Sequence, residues 1–235
     1  MTQVGSLPIL GDDFIAPECT ELMHILYQDA HLLLIDKPSG LLSLSGKHPL
    51  NWDSVHYRLI HGQAGATPPF PNAKLPHRLD LGTSGVMLVA LNAQAATALN
   101  RQFQAASIQK RYLAMLEGWL KEDEGEINAA IAKDATLFPR VKICATGKAS
   151  RSDYQVLARL SEPKRTLVQF TPRTGRTHQL RIHSLHLGHP ILGCDLYQSA
   201  HSEHLSARLM LHASDIYFTH PHTGQLFHGH SPSPF

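Results

Sequence analysis

The apolar positions of the chain fall mainly into short runs and period-two stretches, which predict strands, with a few punctuated helical stretches between them. Residues 32–35 form a continuous apolar run closed by Lys37-Pro38-Ser39-Gly40, which predicts a buried strand and then a turn. Residues 85–91 predict a central strand. Asn92 then offers an N-cap for a helix to about Ala106, with Leu99 and Phe103 one turn apart on its inner face. Residues 111–116 return as a strand. Tyr154, Val156, Ala158 and Leu160 alternate, and residues 166–170 keep the same period of two. A further helix starts at Thr177 as its N-cap, with Gly188 just past its end and Pro190 blocking continuation. Leu209 and Leu211 belong to another strand, and residues 216–219 and 225–228 flank a turn at His222-Thr223-Gly224, which predicts a hairpin. Residues 61–76 are rich in Gly, Pro and Ala and predict a mobile surface loop leading into His77. Many strands, two or three helices and tight turns predict an α+β fold on a mixed, mostly antiparallel central sheet with flanking helices. Residues 1–22 read as an irregular lead-in and 23–235 as a single domain.

Composition narrows the class. The chain has 235 residues, 43% of them apolar and only 17% charged, which supports a packed core and argues against disorder. No apolar run approaches the roughly 20 residues of a membrane helix, so no membrane partner is expected. Asp12, Asp13, Glu18 and Glu21 stand where a signal peptide would be basic and then apolar. Cys19, Cys144 and Cys194 are odd in number, far apart and without a C-x-x-C, which fits a reducing cytoplasm rather than a disulfide framework or a cysteine zinc site. Net charge is +2, yet Arg140 to Arg181 holds ten Lys/Arg against Asp153 and Glu162, a local balance of +8 that leaves −6 for the rest. This asymmetry reads either as a basic surface for a polyanion or as a solvated cationic face.

The chemistry concentrates in His77-Arg78-Leu79-Asp80-Leu81-Gly82-Thr83-Ser84-Gly85. His77 and Arg78 are cationic or potentially cationic neighbours that favour an ionised Asp80. Thr83, Ser84 and Gly85 supply small donors and a permissive backbone just before an apolar strand, a rigid place for a reactive side chain. From these residues alone two readings stand, since an Asp before a turn more often caps backbone N–H groups than attacks a substrate. The chain also has seventeen histidines. His183 and His186, three apart on the predicted helix, could share a face for a metal, but no H-E-x-x-H and no nearby cysteine accompanies them.

The nine-residue segment resembles the H-R-L-D-x-x-T-S-G motif of the RluA-type pseudouridine synthases. Asp36-Lys37-Pro38-Ser39-Gly40, Lys110-Arg111-Tyr112, the segment from Thr174 to Arg181, the turn from Gly188 to Gly193 and Arg208-Leu209-Met210-Leu211-His212-Ala213 resemble the other motifs of that family, in family order. The resemblance spans about residues 24–230. It implies isomerisation of uridine in RNA without metal or cofactor, with Asp80 as the nucleophile; ribose, base and glycal routes all remain open. It further implies that Tyr112 stacks on the target base, that Arg176 pairs with Asp80, and that Arg78 enters the RNA stack where the flipped base has left. Leu211 would line the uracil pocket, with His77, Thr83 and Arg181 as further RNA- or base-binding residues. Taken singly, Tyr112 and Leu211 would pass for core residues and Arg176 for a surface arginine. Only about 23 residues precede the catalytic region, too few for the S4-type RNA-binding domain of some relatives, so a stand-alone catalytic domain is expected. Residues 139–149 look most like the branch that modifies both 23S ribosomal RNA and tRNA anticodon stem-loops. A tRNA-only synthase and a non-catalytic RNA-binding domain on the same scaffold are the alternatives. The expected partner is RNA, not DNA, and the expected state is a monomer.

Overall fold

The apolar run at 32–35 becomes a strand covered on both sides. β1 (His24–Gln28), β2 (Leu32–Lys37) and β3 (Ser84–Ala90) pair antiparallel in that order, and β3 is buried along its whole length. The structure is a computed structural model that describes residues 14–137, 139–197 and 206–235; most of the expected lead-in lies outside the described residues. Between β2 and β3 runs α1 (Val55–His61), whose N-cap Ser54 accepts a hydrogen bond from Tyr57 N. A helix this short carries too few turns to show a period in the sequence. After β3 comes α2 (Ala93–Gln104), capped as expected by Asn92, whose Oδ1 accepts from Ala95 N at 2.9 Å.

The chain continues as β4 (Gln109–Glu117), β5 (Glu124–Asn128), β6 (Ile131–Lys133), β7 (Val141–Ile143), β8 (Arg151–Ser161), β9 (Lys164–Pro172), α3 (Gln179–His186), β10 (Leu211–Thr219) and β11 (Leu226–His230). One large sheet runs β1-β2-β3-β10-β4-β9-β8-β5, with β11 beside the far half of β10, and β6 and β7 pair separately. Among the described strands only β3 and β10 pair in parallel, so the sheet is mixed and mostly antiparallel.

Register explains where the site forms. Lys37, Gly85, Ala213, Tyr112, Phe170 and Tyr154 follow one another across six neighbouring strands. One apolar core lies under β1–β3, α1 and α2, a second under β4–β9 and α3, and Tyr112 packs against both. A cleft therefore opens over the middle of the sheet.

Local expectations needed correction at three places. The α3 N-cap is His178, in a left-handed conformation at φ +53°, not Thr177. The loop 61–76 is pinned rather than loose. Gln63 N donates to Thr67 O, Phe70 N to Leu59 O, and Lys74 exchanges two backbone bonds with Ala90. Leu209 precedes β10 instead of belonging to it.

Candidate active site

Segment 77–85 enters β3 through a turn closed by Thr83 N donating to Asp80 O at 3.1 Å. The chain after β2 holds this turn by its carbonyls. Lys37, in register with Gly85, is fully buried, and its Nζ donates to the carbonyls of Pro38 at 2.8 Å, Leu81 at 3.1 Å and Thr83 at 2.8 Å. Ser39 Oγ donates to Gly82 O at 2.7 Å and Ser43 Oγ to Leu79 O at 2.7 Å. The ammonium's three donors thus meet three carbonyls, two of them just after Asp80, while Ser43 holds Leu79 just before it. Burial lowers Lys37 from the ordinary lysine value of 10.5 to about 7, although Asp80 is among the groups that pull it back up.

The ends of the segment are fixed as well. His77 Nε2 accepts from Leu88 N at 2.9 Å, on a stretch of β3 that β10 does not reach, and its ring stacks on Phe103 at 4.8 Å. Burial, with Lys110 beside it, lowers His77 to about 3, so the ring is a neutral acceptor. Gly85 has φ +115°, and a Cβ there would lie 2.3 Å from Ala213 O, so only glycine lets β10 approach. Ser84 Oγ accepts from Arg208 at 2.5 Å and donates to His212 Nδ1 at 2.9 Å, while His212 Nε2 donates to Ser231 O at 3.0 Å. That chain of bonds joins the Asp80 loop to the last family-like motif.

Above the sheet lies a cavity of about 520 Å³, lined by all eight of the residues singled out in the sequence. Its volume lies within the usual range of small-ligand pockets, so it suits one extruded nucleotide and not a duplex. Asp80 is half-buried at its wall, Tyr112 lies on its floor, and Thr83 and Leu211 are buried in its lining. Arg78 and Arg176 are exposed at its rim. Among the described residues that line it, Asp80 is the only carboxylate, against Arg78, Lys110, Arg173, Arg176 and Arg181. Burial, then the Asp80 charge, raises the Tyr112 hydroxyl well above the ordinary tyrosine value, so it stands as a neutral phenol.

Among the described residues neither Arg176, the expected partner, nor Arg181 forms an ion pair with Asp80. Arg176 Nε donates to Ala149 O at 3.0 Å and its backbone N to Gln179 Oε1 at 3.0 Å. Arg181, expected only to bind RNA, is buried. It donates from Nε to Cys194 Sγ at 3.3 Å, pairs with Asp195 and lies over the Tyr197 ring at 5.4 Å. Burial opposes its charge, but Cys194, Asp195 and Asp80 outweigh that and raise it above the ordinary arginine value. His178 completes this wall: its Nδ1 lies 2.9 Å from the Tyr197 hydroxyl, which accepts from Val141 N at 2.7 Å.

Sequence reasoning missed Lys37, Lys110 and His178 as parts of the site, although all three stand inside family-like motifs. His183, weighed as a metal ligand, is a core histidine. Its Nδ1 lies 3.0 Å from Ser152 Oγ and its Nε2 2.9 Å from Ser150 Oγ. The three cysteines are free, and no helix among the described residues is long and apolar enough to cross a membrane.

The chain matches the family model described as RNA pseudouridylate synthase over residues 31–186. It is 42% identical to the dual-specificity RNA pseudouridine synthase RluA of Yersinia pestis over 207 residues, 88% of this chain and 97% of that protein. It is 39% identical to the RluA of Escherichia coli (strain K12) over 212 residues, 90% and 93% of the two chains. Among solved structures it resembles human RNA pseudouridylate synthase domain containing 1, at 29% identity and a TM-score of 0.77, covering 93% of this chain and 86% of that one. A cavity holding one carboxylate among five cations, on this sheet and with these relatives, identifies the chain as a member of the RNA pseudouridylate synthase family, an enzyme that isomerises uridine in RNA.

Proposed function

We propose that Asp80 is the nucleophile and that the substrates are structured uridines in both 23S ribosomal RNA and tRNA anticodon stem-loops. The observation that carries the first part is the position of Asp80 as the sole carboxylate among the described residues lining a cationic cavity of nucleotide size, on a turn whose neighbouring carbonyls are bonded from below. The target uridine swings out of its stack into the cavity, and Arg78 at the rim fills the gap it leaves. Asp80 attacks the nucleoside, the N-glycosidic bond breaks and the uracil turns; its C5 then joins the sugar as the bond to Asp80 is released, C5 gives up its proton and N1 takes one up. Tyr112, a neutral phenol, stacks on the base and offers a hydroxyl rather than a resting phenolate, and Leu211 packs against the uracil. Arg181 is the cation that steadies the Asp80 charge; its fork is already oriented by Asp195 and Cys194. Arg176 and Arg173 at the mouth contact phosphates and so position the RNA. Dual specificity is supported by the dual-specificity RluA relatives, which share most of this chain. The protein works as a monomer in the cytoplasm, on RNA rather than DNA, and needs no cofactor for the isomerisation.

Asp80→Asn tests the nucleophile. The variant is expected to fold and to bind RNA as the wild type does while forming no pseudouridine. Nucleoside analysis showing wild-type yield would remove Asp80 from the role. Pseudouridine mapping in total RNA with and without the gene separates the dual reading from a tRNA-only enzyme, because only the former leaves 23S sites unmodified when the gene is absent.

A further inference from the structure

Asp215, His228 and His230 cluster on the hairpin of β10 and β11, and the catalytic reading uses none of them. Register sets His230 directly opposite Asp215 and His228 opposite Tyr217, so alternation puts all four side chains on one face. That face is the reverse of the catalytic one. Asp215 is in register with Arg111, which alternates with the cavity-lining Lys110 and Tyr112.

The three residues already converge. Asp215 Oδ1 lies 2.8 Å from His228 Nε2 and 3.0 Å from His230 Nδ1, and the ligand-type atoms of all three lie within 4.8 Å of one another. Donors bound at about 2.1 Å to a common ion stand roughly 3.0–3.4 Å apart at angles between octahedral and tetrahedral. The carboxylate–imidazole separations need to open by only a few tenths of an ångström, and the imidazole nitrogens need to draw together by rotation. Outer partners hold two of the three groups. Ser214 Oγ donates to Asp215 Oδ2 at 2.7 Å, which leaves Oδ1 facing the imidazoles. The Tyr217 ring stacks on His228 at 4.3 Å and 2°, which fixes its plane, while Arg111 is drawn over Tyr217 at 5.3 Å. The histidine side chains are 46% and 55% exposed and Asp215 15%, so a hydrated ion can reach the site from solvent while the carboxylate stays sheltered.

We propose that Asp215, His228 and His230 bind one divalent first-row transition ion, zinc being the best fit, with the remaining coordination positions held by water. Two imidazoles and one carboxylate suit zinc, nickel, copper or iron and not calcium or magnesium, which take oxygen ligands. The carboxylate comes from β10 and both imidazoles from β11, so the ion staples the hairpin. Its place on the reverse face gives it a structural role and keeps it out of the isomerisation.

The test uses the full chain, stripped with a chelator and titrated with zinc chloride alone by calorimetry, with cobalt substitution read by visible absorbance. Wild type is expected to take up one equivalent saturably and to melt at a higher temperature with zinc. Even an outer partner of a ligand is worth 10–100-fold in metal affinity, so the double variant H228Q/H230Q is expected to lose at least about 100-fold and the rise in Tm. Its pseudouridine formation in metal-free buffer should equal that of wild type. A variant at another adjacent histidine pair, H31Q/H222Q, is expected to keep the site. Equal zinc uptake by wild type and H228Q/H230Q, or no saturable equivalent in wild type, would reduce the cluster to a hydrogen-bonded trio. Anomalous diffraction from zinc-soaked wild-type crystals gives the answer independently of any variant: a peak between Asp215, His228 and His230 supports the site, and its absence there overturns it.

Discussion

Replacing Lys37 by methionine isolates the titration of a buried ammonium under the catalytic turn. Lys37 is fully buried, gives its three donors to the carbonyls of Pro38, Leu81 and Thr83, and is lowered by burial from 10.5 to about 7. Because the folded value is the lower one, the unfolded chain binds more protons between about pH 7 and 10.5. The wild type therefore gains stability as pH rises through that window, and below it the cost of burying the charge is present in full. The interval corresponds to roughly 5 kcal/mol overall, of which roughly 3 kcal/mol falls between about pH 6.5 and about pH 9.5. Methionine does not titrate, so the difference between wild type and Lys37→Met cancels the other groups. Near pH 6.5 the variant is relieved of a buried charge but leaves carbonyls without donors, at about 1–3 kcal/mol each, and the two effects oppose one another. Near pH 9.5 the wild-type amine is neutral and still donates through its two N–H bonds, so the deficit of the variant grows. Urea titrations of both proteins at the two pH values measure it. A difference that stays flat within about 0.5 kcal/mol would refute the lowered value, since a lysine with ordinary titration changes little over this range. If Lys37→Met does not fold, the side-chain carbon shift of Lys37 in labelled wild type reports the same midpoint directly.

Three further outcomes follow from the geometry. Arg181→Lys keeps the charge but loses the fork, and is expected to lower the single-turnover rate roughly 10–100-fold; an unchanged rate would dissociate Arg181 from Asp80. Arg176→Ala is expected to weaken RNA binding and to reduce the slope of log affinity against log salt by about one, with the saturating single-turnover rate within about threefold of wild type; a collapse of that rate with intact binding would restore Arg176 as the partner of Asp80. Gly85→Ala puts a Cβ 2.3 Å from Ala213 O at φ +115° and is expected to cost more than about 2 kcal/mol of stability by urea titration; a smaller cost would mean that β3 and β10 separate easily.

How far the sequence could be read depended on whether the information was local. β2 and β3 were legible because both faces of each are covered, which forces an unbroken apolar run. α2 was legible because Asn92 caps it from the next residue. α1 was not, because its seven residues make only about two turns and its buried face is just Val55, Arg58 and Leu59, too short to read as a repeat. The loop at 61–76 looked mobile from its Gly, Pro and Ala content, and its anchors at Leu59 and Ala90 are invisible locally. The eight site residues were legible as types because they sit in motifs, but their separate tasks were not. Lys37 shows the reason. As a sequence letter it ends an apolar strand like any boundary lysine; only the register with Gly85 carries its ammonium under the turn.

The two arginines of the Thr174–Arg181 segment make the same point about the chemistry. Five residues apart in one motif, either can be assigned to Asp80 by spacing. His178 decides between them. Its left-handed backbone ends the preceding turn and starts α3, so residues 174–177 stay outside the helix while Arg181 falls on its first turn, facing the core of β4–β9. Gln179 reinforces the break, accepting from Thr174 Oγ1 and Arg176 N and donating to Arg151 O, which holds the outer turn against β8. Arg176 is left exposed with its Nε on Ala149 O, where its remaining donors can meet a phosphate at little desolvation cost. Arg181 has already lost its water. A desolvated, pre-oriented cation stabilises a developing charge far better than a mobile one at the rim. In the proposed mechanism both residues are basic for the same reason, the polyanionic substrate, and their difference in burial is the reason to give Arg181 to Asp80 and Arg176 to the RNA backbone.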